Sequence, residues 1–332
     1  MAKISVLGSG AWGTALAMLL SDNGYEVLLW SPFAEHTEEL RRTRKSSALG
    51  GLELPAGMQF TSDMKKAGER QDAIVLATAS VYTRGVAREL RPYVKAGQLL
   101  VCVAKGIEEK SLLFQTDEVQ EEIPDAVVAC LSGPSHAEEV ARRLPTTCVA
   151  GAADSAVAEQ VQALFMNRVF RVYTSTDVKG IELGGAVKNV IALAAGIADG
   201  LGYGDNTKAA LITRGIAETA RLGVKIGAHW ETFAGLTGIG DLIVTCASMH
   251  SRNRRAGILI GQGKPVEEAM REVGQVVEGV YSAKAALALA EREQVEMPIV
   301  DVVNRVLFSE LPAAEAVRML MERDPIAEWN YL

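Results

Sequence analysis

Aromatic residues are scarce, at 5% of 332 residues, whereas glycines number 31. With few large rings to fill its interior, the chain is expected to pack helices closely and to turn on glycine. Cysteines are also few. Cys102, Cys130, Cys148 and Cys246 are widely spaced and form no Cys-x-x-Cys pair. That pattern speaks against a zinc site or a dithiol redox motif and reads as buried, reduced thiols of a cytoplasmic protein. No ligand cluster suggests a metal. The formal net charge of −7 excludes the basic surface of a general nucleic-acid binder, although a few local cations suffice for a small anion. The N-terminus lacks a basic stretch followed by a long apolar run, so no signal peptide is expected. The most membrane-like segment, Val190 to Ala198, is too short to span a bilayer and follows Lys188 and Asn189 directly. It reads as a buried core helix, and no membrane span is expected.

With 48% hydrophobic and 23% charged residues, the composition is that of a globular protein, and the length suits two domains. Short apolar runs alternate with helical spacing in the first half. Ile4 to Leu7 predicts a strand, Trp12 to Asn23 a helix ending at Gly24, and Glu26 to Trp30 a second strand. Ala73 to Thr78, Leu99 to Ala104, Val127 to Leu131 and Thr147 to Ala150 are further strand candidates. Such alternation means βαβ units and a parallel sheet. From about Val178 the pattern is helical almost throughout: Lys179 to Leu201, Lys208 to Leu222, Trp230 to Phe233, Pro265 to Glu272, Ser282 to Glu293 and Pro298 to Ser309. The expected organisation is an α/β Rossmann-type domain over residues 1–177 and an all-α domain over 178–332.

Gly8-Ser9-Gly10-Ala11-Trp12-Gly13 is a G-x-G-x-x-G that follows the first strand and opens a helix, the context a dinucleotide fingerprint requires. Gly8 permits the tight turn, Gly10 leaves room for a pyrophosphate, and Gly13 lets helix pack on strand. The helix start then offers N–H groups and dipole to the phosphates. An acid closing the second strand would hold the adenosine ribose of NAD. Here that strand runs Leu29-Trp30-Ser31-Pro32-Phe33, without one. With the nearby Arg41, Arg42, Arg44 and Lys45 as candidate 2′-phosphate partners, this leans slightly to NADP over NAD.

Substrate chemistry is suggested by five later segments. Val103 to Glu108 places Lys105 after a buried strand, where α/β proteins hold ligands. Leu131-Ser132-Gly133-Pro134-Ser135-His136-Ala137 follows another strand, and its rigid turn would fix hydrogen-bonding groups at Gly133 and Ser135. Gly184 to Ile191 is an apolar helix containing Lys188. Desolvation there would lower the lysine pKa towards the working pH, which suits proton transfer. Thr237 to Cys246 presents Asp241, the natural counter-charge. Ser251-Arg252-Asn253-Arg254-Arg255 then offers guanidinium forks, hydroxyl and amide groups and a helix start, all apt for a phosphate; for Arg254 and Arg255 a solvated basic helix turn is the plainer reading.

Taken together, these segments, with V-V-E-G at Val276 to Gly279, resemble the bacterial NAD(P)-dependent glycerol-3-phosphate dehydrogenase family. The shared set is G-x-G-x-W-G-T-A-L-A from Gly8, A-K-G-I-E from Ala104, S-G-P-S from Ser132, G-G-A-V-K-N-V-I-A from Gly184, G-x-G-D-L-x-x-T-C from Gly238 and S-R-N-R from Ser251. The likeness runs from Ile4 to about Pro298. It implies a helical domain of the 6-phosphogluconate dehydrogenase C-terminal type, and reduction of dihydroxyacetone phosphate to sn-glycerol 3-phosphate for phospholipid synthesis. It implies Lys188 as the catalytic residue, and Lys105, Gly133, Ser135, Lys188, Asp241, Ser251, Arg252 and Asn253 as substrate contacts. It implies that the cofactor is lined by Gly8, Gly10, Ala11, Trp12, Gly13, Lys105, Ala137, Arg252, Val276 and Glu278. Three positions depart from the family pattern. Ser31-Pro32 stands where Arg or His is frequent, Lys45 to Gly51 replaces an Asn-x-x-Tyr-Leu-Pro-like segment, and His136 replaces a usual Phe. The first two bear on adenosine recognition.

The implied mechanism is hydride delivery to the ketone carbon while protonated Lys188 stabilises and protonates the oxygen, Asp241 orients Lys188, and Arg252 with Ser251 and Asn253 holds the phosphate. A ketopantoate or β-hydroxyacid reductase, which also uses a lysine on a helical-domain helix, is the nearest alternative, and a non-catalytic dinucleotide sensor on the same fold is another. The expected protein is cytoplasmic, takes a small-molecule substrate, and can form a homodimer.

Overall fold

A computed structural model describes residues 1–325, 327 and 328. Among the described residues there are ten strands: β1 Lys3–Leu7, β2 Glu26–Trp30, β3 Lys45–Ser46, β4 Leu52–Glu53, β5 Gln59–Thr61, β6 Ala73–Leu76, β7 Leu99–Cys102, β8 Val127–Ser132, β9 Thr146–Gly151 and β10 Phe170–Ser175. Eight form one sheet in the order β10-β9-β8-β7-β6-β1-β2-β5, and β3 and β4 form a small hairpin. All four residues of β6 are buried, as expected of a strand with neighbours on both sides and helices over both faces. β1 lies between β2 and β6, with Leu7 opposite both Trp30 and Leu76. The strand order therefore reverses beside β1, and in such sheets ligands bind outside the carboxyl ends of strands at that reversal.

The sheet departs from all-parallel at one junction. Pairing is parallel from β5 through β8, but β9 runs antiparallel to β8, with Cys130 opposite Gly151. Only the five-residue helix Ala137–Ala141 lies between them, and the chain returns beside its own strand. β10 then pairs parallel with β9. Its residues alternate, Phe170 and Val172 buried and Arg171 and Tyr173 exposed, so no continuous apolar run marks it.

The chain divides into two compact units. One comprises Met1–Lys105 and Gln115–Val178; the other comprises Gly106–Phe114 and Lys179–Leu332. The excursion 106–114 differs from a single break at 177/178. Its cause is local: Ile107 and Phe114 pair through a β-bridge and pack into the helical core.

The second unit is built around the helix Val178–Gly200, of which every residue from Gly180 to Ala198 is buried. Its 23 residues are long and apolar enough to cross a membrane, and its most apolar window is wholly buried inside the protein. The apolar stretch is thus longer than Val190 to Ala198 and not too short to span a bilayer, because the helix continues apolar towards its N-terminus. It is burial that marks it as a core helix. The helix Arg252–Gly261 crosses it through glycines. A Cβ on Gly196 would fall 2.2 Å from Arg254 O, and one on Gly257 2.2 Å from Leu193 O. A helix-interior glycine costs about 1 kcal/mol relative to alanine, and here the backbone approach demands it. That crossing fixes where the residues at Ser251 and Arg252 begin relative to Lys188.

Candidate active site

In the first unit, the turn after β1 is a glycine cradle. Gly8 has φ +121°, and a Cβ there would lie 2.6 Å from Ala77 O. A Cβ on Gly13 would lie 2.0 Å from Gly8 O. The protein itself therefore dictates both glycines. Gly10 is different, since a Cβ there would meet nothing within 4 Å. The open space over Gly10, at the start of a helix Ala11–Asp22 that no side chain caps, fits a pyrophosphate approaching backbone N–H groups. Ala11 and Trp12 form the first turn of this helix, and both are half-buried.

At the end of β2, Ser31 is buried, donates its N–H to Thr61 O at 3.0 Å, and accepts from Phe33 N at 3.4 Å. No carboxylate stands there. Of the neighbouring cations, Arg41 donates to Phe60 O at 2.6 Å. Arg44 donates to Met58 O at 2.9 Å and to Pro55 O, and lies over the Phe60 ring. Two of the four cations read as 2′-phosphate partners are thus held by the chain's own backbone.

The same unit gathers three other expected residues around one carbonyl. Lys105 Nζ donates to Gly133 O at 3.0 Å, and Ser135 Oγ donates to it at 2.8 Å. Gly133 has φ +136°, a left-handed conformation that favours glycine. His136 precedes the helix Ala137–Ala141 at its N-cap position, and Ala137 is buried.

In the second unit, Lys188 is 8% exposed and its Nζ donates to Asp241 Oδ1 at 2.5 Å and to Thr245 Oγ1 at 2.9 Å. Asp241 is 1% exposed and opens the helix Asp241–Ala247. Thr245 lies one turn on and donates its hydroxyl to Asp241 O at 2.6 Å. With its only proton so committed, Thr245 Oγ1 turns a lone pair to the ammonium. The turn before Asp241 comes close because Gly184, one helical turn before Lys188, lacks a side chain: a Cβ there would fall 2.6 Å from Thr237 O. Beside this set, burial pushes the Cys246 thiol up to about 12, so it stays protonated and is no nucleophile.

Ser251 caps the helix Arg252–Gly261, accepting from Arg254 N at 3.2 Å. Arg252 is the first residue of that helix and is half-buried. Asn253 Nδ2 donates to Asn189 Oδ1 at 2.8 Å, and Asn253 Oδ1 accepts from Gly279 N at 2.8 Å. Its amide thus clamps Gly279, and with it Val276 and Glu278, to the helix that carries Lys188. Arg254 is not the solvated side chain of the plainer reading. It pairs with Asp199 at 2.8 Å and donates to Ala247 O at 2.8 Å. Among the described residues, no group of three or more His, Cys, Asp and Glu side chains could hold a metal ion.

Two family models match in sequence. The N-terminal model of NAD-dependent glycerol-3-phosphate dehydrogenase covers residues 3–158, and its C-terminal model covers residues 177–318. The chain belongs to this family. It is an oxidoreductase that uses NAD or NADP, as the bare end of β2 and the cradle at Gly10 permit. Among relatives, a glycerol-3-phosphate dehydrogenase (NAD(P)+) of Agathobacter rectalis is 59% identical over 333 residues, covering 100% of this chain and 99% of that protein. One of Fusobacterium nucleatum is 55% identical, covering 98% of each. The crystal structure of glycerol-3-phosphate dehydrogenase from Coxiella burnetii superposes with a TM-score of 0.94 at 36% identity, covering 97% of this chain and 99% of that one. A ketopantoate reductase of Ralstonia eutropha shares the fold alone, with a TM-score of 0.62 at 16% identity.

Membership of the family leaves two residues that the sequence reading did not single out. Thr245 is one. Its signal was its place four residues after Asp241, on the same face of a helix that Asp241 begins. Asn189, next to Lys188, is the other. It contributes through Asn253, 64 residues further on, a partnership no local pattern carries.

Proposed function

We propose that Lys188 is the proton donor in the NAD(P)H-dependent reduction of dihydroxyacetone phosphate to sn-glycerol 3-phosphate, and the base in the reverse direction. The observation that carries this is the buried ammonium with two of its protons fixed by Asp241 and Thr245. Burying an ion pair is costly relative to apolar packing, so a fold has little reason to keep one here without chemistry to perform. That cost also weighs against a non-catalytic dinucleotide sensor.

The bound dinucleotide supplies the hydride. Gly8, Gly10, Ala11, Trp12 and Gly13 would hold its pyrophosphate, with Lys105, Ala137, Arg252, Val276 and Glu278 as further lining residues. Lys188 gives a proton to the substrate oxygen as negative charge grows there, and recovers one from solvent afterwards. Asp241 keeps the amine oriented. Arg252 and Ser251 bind the phosphate, and that remote binding aligns the ketone. Lys105, Gly133 and Ser135 supply polar contacts to the triose. Asn253 acts chiefly by fixing the turn at Gly279, since both ends of its amide are engaged within the protein. We further assign the enzyme to the cytoplasm, as a source of the glycerol backbone of phospholipids, and to a homodimeric form.

The test is a spectrophotometric assay of purified protein with NADH and with NADPH. Oxidation dependent on dihydroxyacetone phosphate, and absent with ketopantoate, is expected. Turnover of ketopantoate with none of the triose phosphate would overturn the reading.

A further inference from the structure

The helix that carries Lys188 holds a second charged group, which the reaction proposed above does not use. Asp199 lies about three turns after Lys188 on the helix Val178–Gly200, a rise of ~16 Å along the same face. Its partner is Arg254, in the first turn of the helix Arg252–Gly261. Arg254 Nε donates to Asp199 Oδ2 at 2.8 Å, and its Nη2 lies 2.8 Å from the same oxygen. The other oxygen, Asp199 Oδ1, lies 2.9 Å from Lys208 Nζ on the helix Asp205–Lys225. Arg254 Nη1 donates to Ala247 O at 2.8 Å and to Met249 Sδ at 3.1 Å.

Ala247 closes the helix that Asp241 opens. That helix is therefore tied to the Lys188 helix at both ends, by Asp241 directly and by Ala247 through Arg254 and Asp199. Ser251 and Arg252, the residues assigned to the phosphate, lie on the chain between Ala247 and Arg254. Ser251 Oγ accepts from Arg254 N at 3.2 Å, and Arg254 O packs where Gly196 leaves no room for a Cβ. Side chain and backbone thus pin this turn at one residue. Charge placement agrees. The first turn of Arg252–Gly261 holds Arg252, Arg254 and Arg255 and no acid, and cations there oppose the helix dipole. The Arg254 side chain is only 13% exposed, and its guanidinium faces the carboxylate of Asp199 and the C-terminus of the helix Asp241–Ala247, where a cation is favoured.

We propose that Arg254 and Asp199 are positioning residues for the reduction. They hold the phosphate-binding turn at a set distance from Lys188, and so align the ketone with the ammonium without touching the substrate. The inference rests on the assignment of Ser251 and Arg252 to the phosphate. Misplacing a reacting group by about 1 Å can cost about a hundredfold in rate, so a pair remote from the chemistry can govern turnover.

The test uses Arg254→Ala and Asp199→Ala in the full-length protein. It measures kcat per NADH-binding site, counted by fluorescence titration, and the inhibition constant of inorganic phosphate competing with dihydroxyacetone phosphate. In both variants kcat per site should fall about tenfold or more, while the phosphate constant stays within about threefold of the parent's. A purely structural role would lower the number of sites and the melting temperature and leave kcat per site parental. A role as phosphate ligand or local field would move the phosphate constant in opposite directions, weaker in Arg254→Ala and tighter in Asp199→Ala, which removes a negative charge. Asp199→Asn, which keeps an oxygen acceptor and loses the charge, should show a smaller fall in kcat of the same kind and stands in if an alanine variant does not fold. Parental kcat per site in any of these variants, opposed shifts in the phosphate constant, or loss of phosphate inhibition in both alanine variants would overturn the proposal. Arg252→Ala separates this inference from the reading beneath it: parental kcat/KM for dihydroxyacetone phosphate there would overturn the phosphate assignment itself, and the positioning role with it.

Discussion

The glycine cradle of the first unit and the ammonium site of the second are made of different materials. The cradle is backbone. Gly8 and Gly13 are fixed by contacts at which a Cβ would fall 2.6 and 2.0 Å from a carbonyl oxygen, and what they present is N–H groups and a helix dipole. The ammonium site is side chain. Lys188, Asp241 and Thr245 come from two helices 53 residues apart in sequence, and every group is buried and hydrogen-bonded. A backbone site is written in a contiguous motif. A side-chain site is distributed along the chain, and its geometry depends on close helix packing at Gly184, Gly196 and Gly257. Substitutions in the first should therefore act on dinucleotide affinity, and those in the second on turnover and stability.

The largest effect should come from Asp241→Ala. It strands a buried ammonium, and such a change costs about 3–5 kcal/mol. Urea unfolding should show that loss, and a variant as stable as the parent would mean the pair is not buried as described. Next is Glu218→Gln. Burial raises the Glu218 carboxyl to about 7 although it accepts from the backbone N–H of Ile299. Because the folded state holds this proton more tightly than the unfolded one, stability is greatest below about pH 4.5, falls as pH rises to 7, and is flat above that, by up to about 3 kcal/mol. The melting temperature of Glu218→Gln relative to the parent should therefore rise between pH 5 and pH 8; an unchanged difference would show that Glu218 does not titrate there. In the cradle, Gly13→Ala forces backbone apart and should cost about 1–3 kcal/mol along with dinucleotide binding. Gly10→Ala has room and should change stability by no more than about 1 kcal/mol, yet weaken the dinucleotide tenfold or more in a fluorescence titration. If Gly10→Ala binds normally, the open space is not the pyrophosphate site. The smallest effect is expected for Thr245→Val, about a tenfold fall in kcat, the value of one buried hydrogen bond. Its Kd for NADH should not move.

The same difference in materials decides what was legible in the sequence. The G-x-G-x-x-G and its strand–helix context could be read because every residue of that site is local. The helical second half could be read from its period. The outer edge of the sheet could not: β10 alternates Phe170, Arg171, Val172 and Tyr173 instead of forming an apolar run, and the reversal between β8 and β9 follows a helix too short to stand out. Segment 106–114 joins the second unit through Ile107 and Phe114, a tertiary preference with no local signature. Lys188 and Asp241 were visible as a lysine among apolar residues and an acid in a glycine turn. Thr245 was not, because its role rests on a hydroxyl proton given to Asp241 O. Arg41 and Arg44 looked like ligand cations until their bonds to the segment Pro55 to Phe60 were seen.

One pair of numbers tests the division between the two regions most directly: kcat with dihydroxyacetone phosphate, and Kd for NADH, both measured on Lys188→Ala. Turnover is expected to be lost while the dinucleotide binds within a few-fold of the parent. A variant that still turns over at the parental rate would remove Lys188 from the chemistry and contradict the account at its base.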